Sequence, residues 1–247
     1  MHAQNSAVQL AVETAIPALN RFLEALVPRM KKGGRLFYIG AGTSGRLGVM
    51  DASECPPTFG VPPDNVVGLI AGGDGALRLA VEGAEDNLEA AWIDLAPFHP
   101  NSTDTLIGIA ASGRTPYVVG GLENSRAAGL LTACITCNPD SAVEKAAEYA
   151  MVAVTGAEFL TGSTRLNAGT ATKVLLNMIT TVAMIQMGHV QGTRMVDMKL
   201  SNAKLLERGQ RMIIDATGAS LESAKRALES TGNVRSAIQQ IQNDAHP

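Results

Sequence analysis

The sequence predicts an α/β protein: a mostly parallel five-stranded sheet covered by helices on both faces, with a short helical appendage at its C-terminal end. Three observations carry this. Apolar runs of strand length alternate with helical patterns between residues 35 and 187, the arrangement that buries a parallel sheet between helices. Residues 200–247 keep helical periodicity and show no strand pattern. The tripeptide Ser-Gly-Arg occurs twice, at Ser44-Gly45-Arg46 and Ser112-Gly113-Arg114, each time where an apolar run ends. Each copy reads as a buried strand, a hydroxyl-rich turn and then a helix.

The elements follow in order. Residues 7–31 carry an apolar band at helical spacing (Val8, Leu10, Val12, Ile16, Leu19, Leu23, Leu26, Met30), closed by Lys31-Lys32-Gly33-Gly34. Strands are expected at 35–40, 66–71, 105–110, 131–136 and 149–154. Helices are expected from about Ser44, over 75–95, 116–128 and 163–187, and in the tail over 202–217, 220–230 and 234–243, punctuated by Gly218 and Gly232. This divides the chain into an N-terminal helix (1–33), a sheet domain (34–198) and a C-terminal helical segment (199–247).

Composition excludes several classes. Hydrophobic residues make up 46% of the 247, enough for a sizeable core, but aromatics only 4%, so base-stacking platforms are lacking. Net charge is -3 and no basic block occurs, which argues against nucleic acid and anionic membrane as partners. Residues 174–190 are apolar but interrupted by Asn177, Gln186 and Gly188, a buried helix rather than a membrane span. Three cysteines and no leader pattern imply a reducing, cytoplasmic setting. Cys134 and Cys137 have C-x-x-C spacing but end an apolar run, the wrong context for a redox pair. His2, His99, His189 and His246 have no metal-ligand spacing with one another or with Cys, so no metal is expected.

The two turns are candidate anion sites, because a helix N-terminus offers backbone N–H groups and the positive end of its dipole. Gly40-Ala-Gly42-Thr-Ser-Gly45 also matches the dinucleotide pattern G-x-G-x-x-G. The acid that should then bind ribose is misplaced: Asp64 precedes the second strand and Asp74 comes about ten residues late. The second turn, which a dinucleotide fold does not need, favours a sugar phosphate held from two sides. Packing alone also uses such tight turns.

Acid–base chemistry falls to carboxylates. Glu54, in Asp51-Ala-Ser-Glu-Cys-Pro-Pro57, follows the first turn and is itself followed by two prolines that fix the backbone. A helix-end carboxylate on the surface is the plainer reading. On a helix over 75–95, Glu85 lies at the edge of the apolar face while Glu82, Asp86 and Glu89 lie outside it. A half-buried acid there suits proton transfer near neutrality. Ser163 or Thr164 either caps the last long helix or adds ligand contacts, with Glu158, Arg165 and Lys173 as nearby polar candidates.

Taken together, Gly40-Ala-Gly-Thr-Ser-Gly-Arg-Leu-Gly48, Asp51-Ala-Ser-Glu-Cys-Pro-Pro-Thr58, Val81-Glu-Gly-Ala-Glu-Asp86 and Gly108-Ile-Ala-Ala-Ser-Gly-Arg-Thr-Pro116 resemble the N-acetylmuramic acid 6-phosphate etherases. These are a sugar-isomerase (SIS) domain family related to the glucokinase regulatory protein. The resemblance implies a flavodoxin-like three-layer α/β/α fold, a homodimer, a sugar 6-phosphate ligand and no cofactor. It implies cleavage of the lactyl ether by elimination and rehydration, in cell-wall sugar recycling. Glu54 matches the family's acid to the departing lactate and base to water; Glu85 matches its other catalytic glutamate, the C2 base. The phosphate is expected among Thr43, Ser44, Gly45, Ser112, Gly113, Arg114 and Thr115, with Ser163 and Thr164 adding contacts. Arg46 and Arg114 remain open between phosphate and lactyl carboxylate. A sugar-phosphate isomerase or a non-catalytic sensor on the same fold are the alternatives.

Overall fold

The computed structural model describes residues 1–244, so His246 lies outside the described residues. Five parallel strands, β1 (Leu36–Gly40), β2 (Val66–Ile70), β3 (Thr105–Ile109), β4 (Leu131–Thr136) and β5 (Tyr149–Val152), form one sheet in the order β2-β1-β3-β4-β5. This is the flavodoxin-like order, with its switch of direction between β1 and β3. β1, β3 and β4 are buried along their length, as strands covered on both faces must be.

The helices are α1 (Asn5–Lys31), α2 (Gly42–Phe59), α3 (Ala90–Leu95), α4 (Pro116–Ala127), α5 (Ala142–Ala146) and α6 (Asn167–Gln186), then α7 (Ala203–Thr217), α8 (Leu221–Thr231) and α9 (Val234–Asp244). Side-chain alternation along β1 assigns the layers. Phe37 and Ile39 pack with Leu106, Tyr117, Val118, Leu122 and Leu95, on the face carrying α3 and α4. Tyr38 points the other way, its hydroxyl donating to Asp51 of α2 at 3.1 Å. Asn177 and Thr180 of α6 donate to the same carboxylate, at 2.8 and 3.3 Å. Each large apolar side chain so buried contributes roughly 1.5–3 kcal/mol. α6 is long and apolar enough to cross a membrane, but 56% of that stretch is buried in the protein.

Contacts divide the chain into two compact units. One holds Met1–Ser53 and Pro63–Ala183; the other holds Glu54–Pro62 and the chain from Met184 onward. The second unit has its own core, built from Val196, Met198, Ile213, Leu228, Val234 and Ile238. Its segments are tied by Lys199 N–H donating to the Pro57 carbonyl and by Asp197, which accepts two bonds from Arg235 and pairs with His189. Asn202 and Ser220 cap α7 and α8, and Gly218 and Gly232 end them in left-handed conformation.

One sequence expectation needs correction here. No continuous helix covers 75–95. The segment makes 3₁₀ turns at Asp74–Leu77 and Ala84–Asp86 before α3 begins. Gly83, at φ +72°, breaks the run, and the helical-face argument for Glu85 goes with it. Pro56 and Pro57, after Glu54, lie inside the last turn of α2.

Candidate functional site

The two Ser-Gly-Arg turns sit at the carboxyl ends of β1 and β3, the adjacent strands at which the sheet reverses direction. In open α/β sheets this crevice is where ligands bind. The first turn is compact because a Cβ on Gly45 would come within 2.6 Å of the Gly40 carbonyl oxygen. α2 therefore starts immediately after β1; Thr43 and Ser44 occupy its first turn, where N–H groups lack intrahelical partners, while Gly45 N–H donates to the Ala41 carbonyl at 3.3 Å.

The second turn is shaped by Gly113, at φ +69°, whose missing side chain makes room for Ser141. Gly113 N–H donates to the Ala110 carbonyl at 2.9 Å, and its carbonyl accepts from Val143 N–H at 3.0 Å. Thr115 is the residue before Pro116, the first of α4, and its hydroxyl makes no capping bond. It thus leaves the helix N-terminus open to a ligand. Ser112 is half-buried and its hydroxyl oxygen accepts from Arg114 N–H at 3.4 Å, while the Arg114 side chain is exposed.

A cavity of about 330 Å³ opens beside the first turn, lined by Ala41, Gly42, Arg46, Glu82, Gly83 and Glu85 among others. Glu85 reaches this cavity, but as an exposed side chain of a 3₁₀ turn; the half-buried carboxylate expected from helical spacing is not found. Glu54 is exposed too, in α2. Arg46 donates from Nε to the Leu77 carbonyl at 2.9 Å and from Nη2 to the Ala76 carbonyl at 2.6 Å. Two of its donors therefore hold the segment that leads to Glu85. The sequence leaves this role open, and only the partner carbonyls, 30 and 31 residues on, reveal it.

Ser163 and Thr164 do not cap α6, which starts later, at Asn167. Its first N–H groups, on Asn167 and Ala168, are taken by the Glu158 carboxylate at 2.9 and 3.0 Å. Sequence context names Glu158 only as a nearby polar residue. Burial pushes the thiols of Cys134 and Cys137 up to about 12 and about 11, which keeps both protonated and unreactive near neutrality. Among the described residues no cluster of His, Cys, Asp and Glu is arranged to hold a metal ion.

The sheet order, with the paired turns at its switch point, defines a doubly-wound α/β domain of the flavodoxin-like type. The family described as glucokinase regulatory protein N-terminal SIS domain matches residues 18–126. Among solved structures, a phosphoheptose isomerase from Francisella tularensis superposes with TM-score 0.59 at 16% identity, covering 74% of this chain and 94% of that one. A Bacteroides fragilis protein described as a phosphosugar isomerase involved in capsule formation gives TM-score 0.57 at 21% identity, over 78% of this chain and 93% of that one. At these identities they show the fold alone. The curated N-acetylmuramic acid 6-phosphate etherase of Bacteroides thetaiotaomicron is 52% identical over 239 residues, 97% of this chain and 86% of that protein. That of Christiangramia forsetii is 54% identical over 233 residues, 94% of this chain and 85% of that protein. The chain belongs to the N-acetylmuramic acid 6-phosphate etherase family.

Proposed function

We propose that this protein cleaves the lactyl ether of N-acetylmuramic acid 6-phosphate, giving N-acetylglucosamine 6-phosphate and D-lactate. The observation that carries the reading is identity above 50%, over nearly the whole chain, to proteins named for this activity. Glu54 and Glu85 both stand in the motifs through which the chain resembles that family. The sugar phosphate is held by the turns at Thr43, Ser44 and Gly45 and at Ser112, Gly113 and Thr115, with the exposed Arg114 alongside. Ser163 and Thr164 keep only a contact role in the loop before α6.

In the open-chain sugar the C1 aldehyde acidifies the C2 proton. Glu85 removes that proton, electrons move to form the C2–C3 double bond, and the C3–O bond breaks. Glu54 protonates the departing lactate oxygen and then takes a proton from water as its oxygen adds to C3. The proton returns to C2, so the net change is addition of one water across the ether. The protein works as a homodimer in the cytoplasm, in cell-wall sugar recycling. Exposed Leu79, Val81, Leu88 and Ile93 supply an apolar face for the second copy.

The test is incubation with N-acetylmuramic acid 6-phosphate and an assay for D-lactate. Well-folded protein that binds the sugar phosphate and releases no lactate would be a sensor, and the proposal would fall. Glu54→Gln is expected to lower lactate release by about 10²–10⁴-fold while C2 proton exchange with deuterated water continues. Glu85→Gln is expected to lose both. Lactate release by Glu54→Gln at the wild-type rate overturns the assignment of roles.

A further inference from the structure

α2 carries a second cavity, about 280 Å³, lined by Thr43, Leu47, Arg165, Gly169, Thr170 and Lys173. Helical spacing relates it to the cavity that holds Glu85. Gly42 and Arg46 line that one; Thr43 and Leu47, each one residue later and so about 100° around the helix, line this one.

The charge in the second cavity is unbalanced. Arg165 and Lys173 are exposed, and among the described residues neither makes an ion pair. Lys173 acts on Asp51 only through its field, as the weakest influence on that carboxyl. The one acid at the start of α6, Glu158, is already committed to the N–H groups of Asn167 and Ala168. An anion entering here cannot use those two helix N–H groups and meets the two cations, with Thr43 of the first turn in the same lining. The second turn, at Ser112 to Thr115, differs: it offers hydroxyls and the start of α4, and none of its residues lines this cavity.

We propose that Arg165 and Lys173 form the subsite for the lactyl carboxylate, and that they let the protein distinguish a 3-O-lactyl sugar phosphate from the same sugar without lactate. The proposal rests on the etherase reading and adds a specificity-determining site to it. A carboxylate here receives two charge-assisted contacts, while the sugar 6-phosphate stays with the two turns.

Arg165→Met and Lys173→Met, singly and together, are compared with wild type in two measurements. One is the KM for D-lactate release from N-acetylmuramic acid 6-phosphate. The other is calorimetric binding of N-acetylglucosamine 6-phosphate, which lacks the carboxylate. The double variant is expected to raise KM about 10–100-fold and to bind N-acetylglucosamine 6-phosphate as wild type does. Lys173→Arg should recover most of the loss seen in Lys173→Met. Equal weakening toward both sugars would assign the cations to phosphate and overturn the proposal; so would an unchanged KM. If wild-type protein releases no lactate, the etherase reading fails separately. The subsite is then judged on binding alone. A wild-type preference for the lactyl sugar that the double variant loses sustains it, and absence of any preference overturns it.

Discussion

Arg46 and Arg114 occupy equivalent places in the repeated tripeptide, yet they do different things. Arg114 is exposed at the lip of its turn, whereas Arg46 spends two donors on the Ala76 and Leu77 carbonyls. Removing the guanidinium leaves both carbonyls without that partner and frees the segment that leads to Glu85. Arg46→Met should therefore lower kcat for lactate release about 10–100-fold, with a fall in unfolding free energy of about 1–3 kcal/mol. Because phosphate is expected at backbone donors, KM should change less than kcat. Arg46→Lys, a point donor without the fork, should recover only part of the rate. Steady-state kinetics and urea unfolding of the three proteins check this. A KM rise with unchanged kcat would return Arg46 to ligand binding.

Two buried carboxylates fix elements together, and pH acts on them in opposite directions. Asp104 sits just before β3 and accepts from the Arg35 backbone and guanidinium, just before β1, and from Asn101. Burial pushes its carboxyl up, but these donors outweigh burial and hold it below the usual carboxylate range. A depressed carboxyl contributes stability at pH above its unfolded value, lost as pH falls through the folded one. Asp104→Asn should thus cost about 3 kcal/mol at pH 7, with the deficit shrinking under acid when thermal unfolding is followed across pH. Asp51, joining α2 to β1 and α6, is the reverse. Burial raises its carboxyl above 3.8 despite Asn177, Tyr38 and Thr180. Its contribution is complete below the unfolded value and is lost as pH rises through the folded one. Asp51→Asn should flatten that decline. If it steepens acid unfolding instead, the sign is wrong.

At this scale most of the molecule was legible in the sequence, since a strand buried on both faces and a capped helix each announce themselves by residue type and spacing. β4 spans Leu131–Thr136, and α7 to α9 lie within a residue or so of their sequence limits. What failed was the continuous helix over 75–95, of which only α3 forms, because apolar residues fall at helical intervals by accident. Gly83 in left-handed conformation interrupts them, and Val81 and Leu88 of that face are exposed. The start of α6 failed for another reason. Its N–H groups are satisfied by Glu158, nine residues before Asn167, and no local pattern distinguishes that from a cap by Ser163 or Thr164.

For the whole molecule, the same misread segment becomes the expected contact between copies. Leu79, Val81, Leu88 and Ile93 are 75%, 48%, 49% and 64% exposed within one short stretch, and Val81 also lines the cavity that holds Glu85. Exposed apolar side chains so close in sequence are the basis for expecting an association surface here, and two-fold self-association is the commonest form of assembly. An exposed Ile93 contributes little to the fold of one chain, so Ile93→Glu should change unfolding free energy by no more than about 0.5 kcal/mol. Placed in an interface, the same charge loses its water and opposes association. Sedimentation velocity is then expected to show a dimer for wild type and a monomer for Ile93→Glu at equal concentration. Lactate release should fall with it, because the turn bearing Glu85 loses its cover. A variant that stays dimeric at full activity would remove this stretch from the interface.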